Sequence, residues 1–219
     1  MSEVRENCHR LFERLQRVAT KCGRDAASIR LIAVTKTVPV DRIREVVEFG
    51  VADIGENRLQ EALSKRKQLQ DLPARWHFIG HLQSNKARKV IEHFDWLQSV
   101  DRMDLARKLN EYASRRFPVL IEVNLGEEPA KSGVPISDAQ KLTDDVHRLE
   151  RLDLRGLMAI PPFSENPEDS RPYFRRLREM AERLRLPEVS MGMSHDFEIA
   201  IEEGATMVRI GTALFGTRR

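Results

Sequence analysis

A lysine at the end of an apolar run is the first residue of this sequence whose type and position could do chemistry. Leu31, Ile32, Ala33, Val34 and Thr35 lead into Lys36, and Pro39 breaks the chain soon after. Lysine is seldom buried without a partner, and taking its charge out of water is costly. An amine kept from bulk water can shed its proton, attack a carbonyl carbon and form an imine. The competing reading is a lysine whose head simply reaches solvent at the strand end. Arg209 poses a similar question. It shares a strand face with Met207 and Gly211, while Val208 and Ile210 occupy the other. Such an arginine is either paired with a carboxylate or aimed at a ligand. Two small-residue segments, Gly192-Met-Ser194 and Gly211-Thr212, offer hydroxyls and close backbone approach of the kind that receives a phosphate. Either one alone reads as an ordinary helix cap.

Three sharper-looking patterns carry less. His77 and His81 are four apart, but Gly80 and a strand pattern deny them the helical face of a zinc pair. Ser194, His195 and Asp196 are consecutive, so they point in different directions and cannot form a Ser-His-Asp relay. Lys65, Arg66 and Lys67 read as a solvated helix face.

The elements that must position these residues alternate regularly. Strands are expected at 31–35, 51–55, 75–80, 94–100, 118–124, 154–160, 189–193 and 206–210. Helices fall between them, one starting at Asp41 as N-cap and stopping at Gly50, another at 137–149 with Ser137 or Asp138 as cap. An extra amphipathic helix at about 3–20 precedes them, with Val4, Cys8, Leu11, Phe12, Leu15 and Val18 at spacings of three and four. Eight strand–helix units predict an α/β fold, a (β/α)8 barrel in one domain over 1–219. No GxGxxG or GxxxxGK[ST] segment follows the first strand, which argues against a dinucleotide or P-loop fold. In such a barrel function collects after the C-terminal strand ends. Lys36, Asn57, Asn124, Met158, Ser194, Arg209, Gly211 and Thr212 all fall there.

Composition excludes several classes. The 219 residues carry 37 basic and 34 acidic side chains, a net charge of +3, with the signs interleaved along helices such as 175–185. That pattern is a solvated face and not a nucleic-acid stripe. Two cysteines, Cys8 and Cys22, form no CxxC pair, so a reduced compartment is expected. No apolar run is long enough for a membrane span and the first residues show no leader pattern, so the expectation is a cytoplasmic protein.

Taken together, several segments make the sequence resemble the pyridoxal phosphate homeostasis protein family. They are Ala33-Val-Thr-Lys-Thr37, Gly55-Glu-Asn57, the run from Trp76 to Lys86, Val123-Asn124 with Glu128, Lys131 and Gly133, and Gly156-Leu-Met158. The segment Ser190-Met-Gly-Met-Ser194, Asp196, and Val208-Arg-Ile-Gly-Thr212 with Phe215-Gly216 complete the set. The resemblance implies a fold-type III barrel like the N-terminal domain of alanine racemase. It implies that Lys36 holds pyridoxal 5'-phosphate (PLP) as a Schiff base and that Ser194, Gly211 and Thr212 bind its phosphate. Arg209 would face the pyridine nitrogen, with Asn57 and Met158 lining the ring pocket, and Lys131 is a second lysine implied in handling PLP. A guanidinium cannot accept a proton, so the ring nitrogen would stay unprotonated and be a poor electron sink. The expectation is therefore a monomeric vitamin B6 carrier with little or no turnover, buffering PLP or delivering it to apo PLP-dependent enzymes. The alternatives are a racemase-like PLP enzyme acting on amino acids, or a Schiff-base aldolase on the same barrel.

Overall fold

Short apolar strands that alternate with amphipathic helices bury both sheet faces either as an open sheet covered on both sides or as a closed barrel, and here the sheet closes. The computed structural model describes residues 2–128 and 131–216, so both ends of the expected 1–219 domain, and residues 129–130, lie outside the described residues. The strands are β1 (Arg30–Val34), β2 (Asp53–Glu56), β3 (Arg75–Phe78), β4 (Trp96–Val100), β5 (Phe117–Asn124), a two-residue β6 (Val134–Pro135), β7 (Leu152–Met158), β8 (Glu188–Ser190) and β9 (Met207–Ile210). The helices are α1 (Glu3–Lys21), α2 (Val40–Glu48), α3 (Leu59–Gln68), α4 (Ala87–His93), α5 (Met103–Tyr112), α6 (Ile136–His147), α7 (Arg171–Arg183), α8 (Phe197–Glu202) and α9 (Thr212–Phe215). All strand pairs are parallel, β1 pairs with β9, and β4 pairs with β5, which closes an eight-stranded barrel; β6 adds to β5 at its rim.

Alternation then sorts side chains into two cores. Outward residues such as Leu31, Ala33, Val208 and Ile210 join the large layer between sheet and helices, while Ile32, Leu120, Met158 and Met207 form a separate cluster inside the barrel. Each fully buried aliphatic of this kind contributes about 1.5–3 kcal/mol of burial free energy. Helix α1 starts at Ser2, whose hydroxyl accepts the Arg5 N–H, and it buries Val4, Cys8, Leu11, Leu15 and Val18 as its spacing predicts. Phe12 lies at the edge of that stripe, 37 % exposed, against the Phe49 ring.

Two helix starts differ from expectation. α2 begins at Val40 with Pro39 in the cap position, and Asp41 sits inside the first turn. α6 begins at Ile136 after Pro135, so neither Ser137 nor Asp138 caps it. In both, proline's fixed φ sets the entry, and an acidic residue within the first turn, Asp41 or Asp138, still suits the positive helix end. Among the described residues no helix is long and apolar enough to cross a membrane.

Candidate functional site

A cavity of about 510 Å³ opens at the C-terminal end of the barrel, and most of the residues singled out from sequence converge on it. Lys36, Asn57, Ser194, Arg209, Gly211 and Thr212 all line it. Met158 does not. It is fully buried one layer lower, packed with Ile32, Leu120 and Met207 beneath the cavity.

Lys36 sits in the turn that follows β1, and it is exposed, not buried. The desolvation that its apolar run suggested is therefore not supplied by the strand, which ends two residues earlier at Val34. The turn itself is held firmly. Thr35 is buried, its N–H donates to Gly55 O and its hydroxyl donates to Glu56 Oε1 at 2.6 Å. Thr37 adopts φ +60°, a region that a β-branched residue enters only when its surroundings impose it. Its N–H donates to Glu61 Oε1. Lys65, expected on a solvated face, is instead buried beneath this turn and pairs with Glu56 and Glu61. Burial raises the Glu56 carboxyl above the ordinary range despite Lys65 and Thr35. Burial also works to raise Glu61, but the Lys65 ammonium and the Thr37 N–H outweigh it and hold that carboxyl low.

Arg209 is buried on the cavity floor and, among the described residues, pairs with no carboxylate; NH1 donates to Ser190 Oγ at 2.7 Å and NH2 to Ala159 O at 2.8 Å. Burial lowers its guanidinium to about 10, so it remains a cation at neutral pH. From Ser190 a chain of donors descends the barrel. Ser190 Oγ donates to Gln98 Oε1 at 2.7 Å, Gln98 Nε2 lies 3.1 Å from His77 Nδ1, and His77 Nε2 lies 2.8 Å from Asp53 Oδ1. Burial raises the Asp53 carboxyl, but His77 and Arg75 outweigh it and the net shift is downward. Asp53 is thus an ionised acceptor, which places the His77 proton on Nε2 and leaves Nδ1 to accept from Gln98. Burial pushes His77 itself below the ordinary imidazole range.

At the opposite wall, Ser194 Oγ accepts the N–H groups of Gly211 at 3.2 Å and Ala213 at 3.1 Å. Ser194 does not cap the helix that follows it, α8, whose N-cap is Asp196; it reaches across to the start of α9. An oxygen acceptor already occupies the point where two backbone donors meet, and a phosphate oxygen makes the same demands. Gly192, at φ +87°, brings this loop against α8, where an added Cβ would fall 2.5 Å from Ala200 Cβ. Gly80 does the same at the facing wall, where an added Cβ would fall 2.5 Å from Asn57 O. Asn57 Oδ1 is buried there with no hydrogen-bond partner. The buried Arg209 cation and the small-residue start of α9 suit an anionic group in this cavity, and the orphaned Asn57 Oδ1 suits a donor on the same ligand.

Sequence reasoning missed Glu122, which lines the cavity from β5. Burial, with Asp101 adding to it, raises its carboxyl to about 7 against the pull of Arg209. A carboxylate at a strand end facing an arginine was the available signal. His81, Lys131 and His195 also line the rim; Lys131 pairs with Glu128 at 2.7 Å, and His195 Nε2 lies 3.0 Å from Glu165 O.

Comparison with known proteins agrees with this geometry. The family model for the N-terminal domain of alanine racemase matches residues 7–219, which places the chain in that class of barrel. Alanine racemase of Corynebacterium glutamicum shares the fold at TM-score 0.73 and 18 % identity, the chain covering 60 % of that longer protein. Within the class, this chain belongs to the pyridoxal phosphate homeostasis protein family. The protein of that name from Pseudomonas aeruginosa is 47 % identical over 100 % of this chain and 97 % of its own length, and that from Aquifex aeolicus 46 % identical over 98 % of each. PipY of Synechococcus elongatus, solved with PLP bound, superposes at TM-score 0.82 with 39 % identity, covering 93 % of this chain and 100 % of its own.

Proposed function

We propose that this chain binds PLP at the barrel mouth, holds it through Lys36, and serves as an intracellular reservoir that buffers the cofactor or passes it to apo PLP-dependent enzymes. The observation that carries this reading is the convergence of Lys36, Arg209, Ser194, Gly211 and Thr212 on one cavity. PLP supplies an aldehyde carbon, to which the Lys36 amine adds with loss of water. Ser194, Gly211 and Thr212 receive the phosphate, Arg209 faces the ring nitrogen from the floor, and Asn57 bounds the ring. Met158 supports that floor from below and touches the ligand only through it. The barrel as a whole is the working unit, acting as a monomer in the cytoplasm.

Little turnover follows from two features. Arg209 is a donor with no capacity to take up a proton, so it keeps the ring nitrogen unprotonated. Neither tyrosine lines the cavity, since Tyr112 lies on α5 and Tyr173 on α7. The test is the absorbance of the protein with PLP added. Wild type develops a Schiff-base band and Lys36→Ala develops none while still retaining PLP by its phosphate. No band in the wild type sinks the reading, and rapid exchange of amino-acid α-protons selects the racemase-like alternative instead.

A further inference from the structure

We infer that Lys65 is the positioning residue for Lys36: buried under the turn, it locks the backbone on both sides of the reactive lysine. This rests on the reading of Lys36 as the amine that captures PLP.

Lys65 Nζ has three hydrogens and three acceptors. It donates to Thr35 O at 2.5 Å, Glu56 Oε1 at 2.8 Å and Glu61 Oε1 at 2.6 Å. Those acceptors are not scattered. Thr35 O belongs to the residue before Lys36. Glu61 Oε1 also takes the N–H of Thr37, the residue after it, and Glu56 Oε1 also takes the Thr35 hydroxyl. One ammonium therefore ties together every side chain that grips the turn. The turn needs the grip, because Thr37 at φ +60° has no intrinsic preference for that conformation. Lys36 itself has no such tether: among the described residues, no hydrogen bond or ion pair holds its Nζ. Its aim into the cavity is set by the backbone alone, and the backbone is set by Lys65. Glu61 and Lys65 are four apart on α3 and Glu56 ends β2, so the device joins α3 to the strand that pairs with β1.

Lys65→Met alone would strand Glu56, whose Oε2 is already buried without a partner. The test therefore uses Glu61→Ala, where a part-exposed carboxylate is lost, and the charge-balanced pair Lys65→Met with Glu56→Gln. Two quantities are read. The rate of PLP capture, followed by borohydride trapping on the Lys36 peptide, is expected to fall roughly 10- to 100-fold, the scale of a misplaced reacting group. In the ligand-free protein, exchange of the Thr37 and Val38 amide hydrogens is expected to quicken by about 10-fold or more as the turn opens. Retention of PLP by its phosphate should stay near wild type. A folded variant in which either quantity is unchanged overturns the inference, as does a lowered melting temperature with both unchanged, which makes Lys65 merely structural. A wild type that captures no PLP counts against Lys36 as the amine, and the ligand-free exchange still decides whether Lys65 holds the turn.

Discussion

Glu122→Gln raises the stability of the ligand-free protein at pH 8.5 by on the order of 3 kcal/mol, the largest gain expected from any single substitution at the site. The carboxyl titrates near 7 when folded against 4.5 as its reference value, because the barrel mouth desolvates it. The folded state therefore binds more protons than the unfolded chain between those values. Its contribution is fully present below pH 4.5 and is lost as pH rises through about 7. Glutamine keeps the shape and cannot ionise, so this slope disappears. Other shifted groups keep their slopes in the variant: Glu56, raised by burial, acts in the same direction, and His77, depressed by burial, acts in the opposite one, its contribution present above about 6.5 and lost as pH falls below it. Denaturant unfolding of both proteins at pH 5 and pH 8.5 measures the difference. A variant no more stable than wild type at the higher pH would mean that Glu122 is hydrated or ion-paired at neutral pH.

Gln98→Leu has the largest expected cost. Gln98 is fully buried and bonded on both sides, to His77 Nδ1 and to Ser190 Oγ. Leucine fills similar space and satisfies neither, so two buried polar groups lose a partner at about 1–3 kcal/mol each. A loss of about 2–6 kcal/mol lowers the melting temperature of a chain this size by roughly 5–20 °C. Calorimetry reads it directly, and a change under 2 °C would show that the donor chain contributes little to stability.

The fold was legible because its signal repeats. Every barrel strand overlaps its expected position, since apolar runs between helical segments recur eight times and parallel strands need no long-range information to be recognised. The rim of the site was legible for the same reason: a barrel puts Lys36, Ser194 and Thr212 together by topology. Depth was not. Met158 and Arg209 both lie at strand ends, and only the relative register of neighbouring strands decides that one packs below the floor and the other forms it. Nor was the role of Lys65 legible. A Glu61–Lys65 pair looks identical on a solvated helix and on a buried one, and the deciding partner, Glu56, lies on a different element. The polar interior was hidden most completely. Asp53, His77, Gln98 and Ser190 come from four strands, and each alone is one polar residue in a short apolar segment.

That column of four residues also gives the molecule an internal clock. The Nε2 proton of His77 and the amide protons of Gln98 face no solvent, and every one of them is donated inward. A flat sheet could release such protons by fraying at an edge strand, but a closed barrel has no edge from which to fray. Their replacement by deuterium therefore needs an opening that reaches the barrel interior, so their exchange rate reports openings that edge fraying cannot supply.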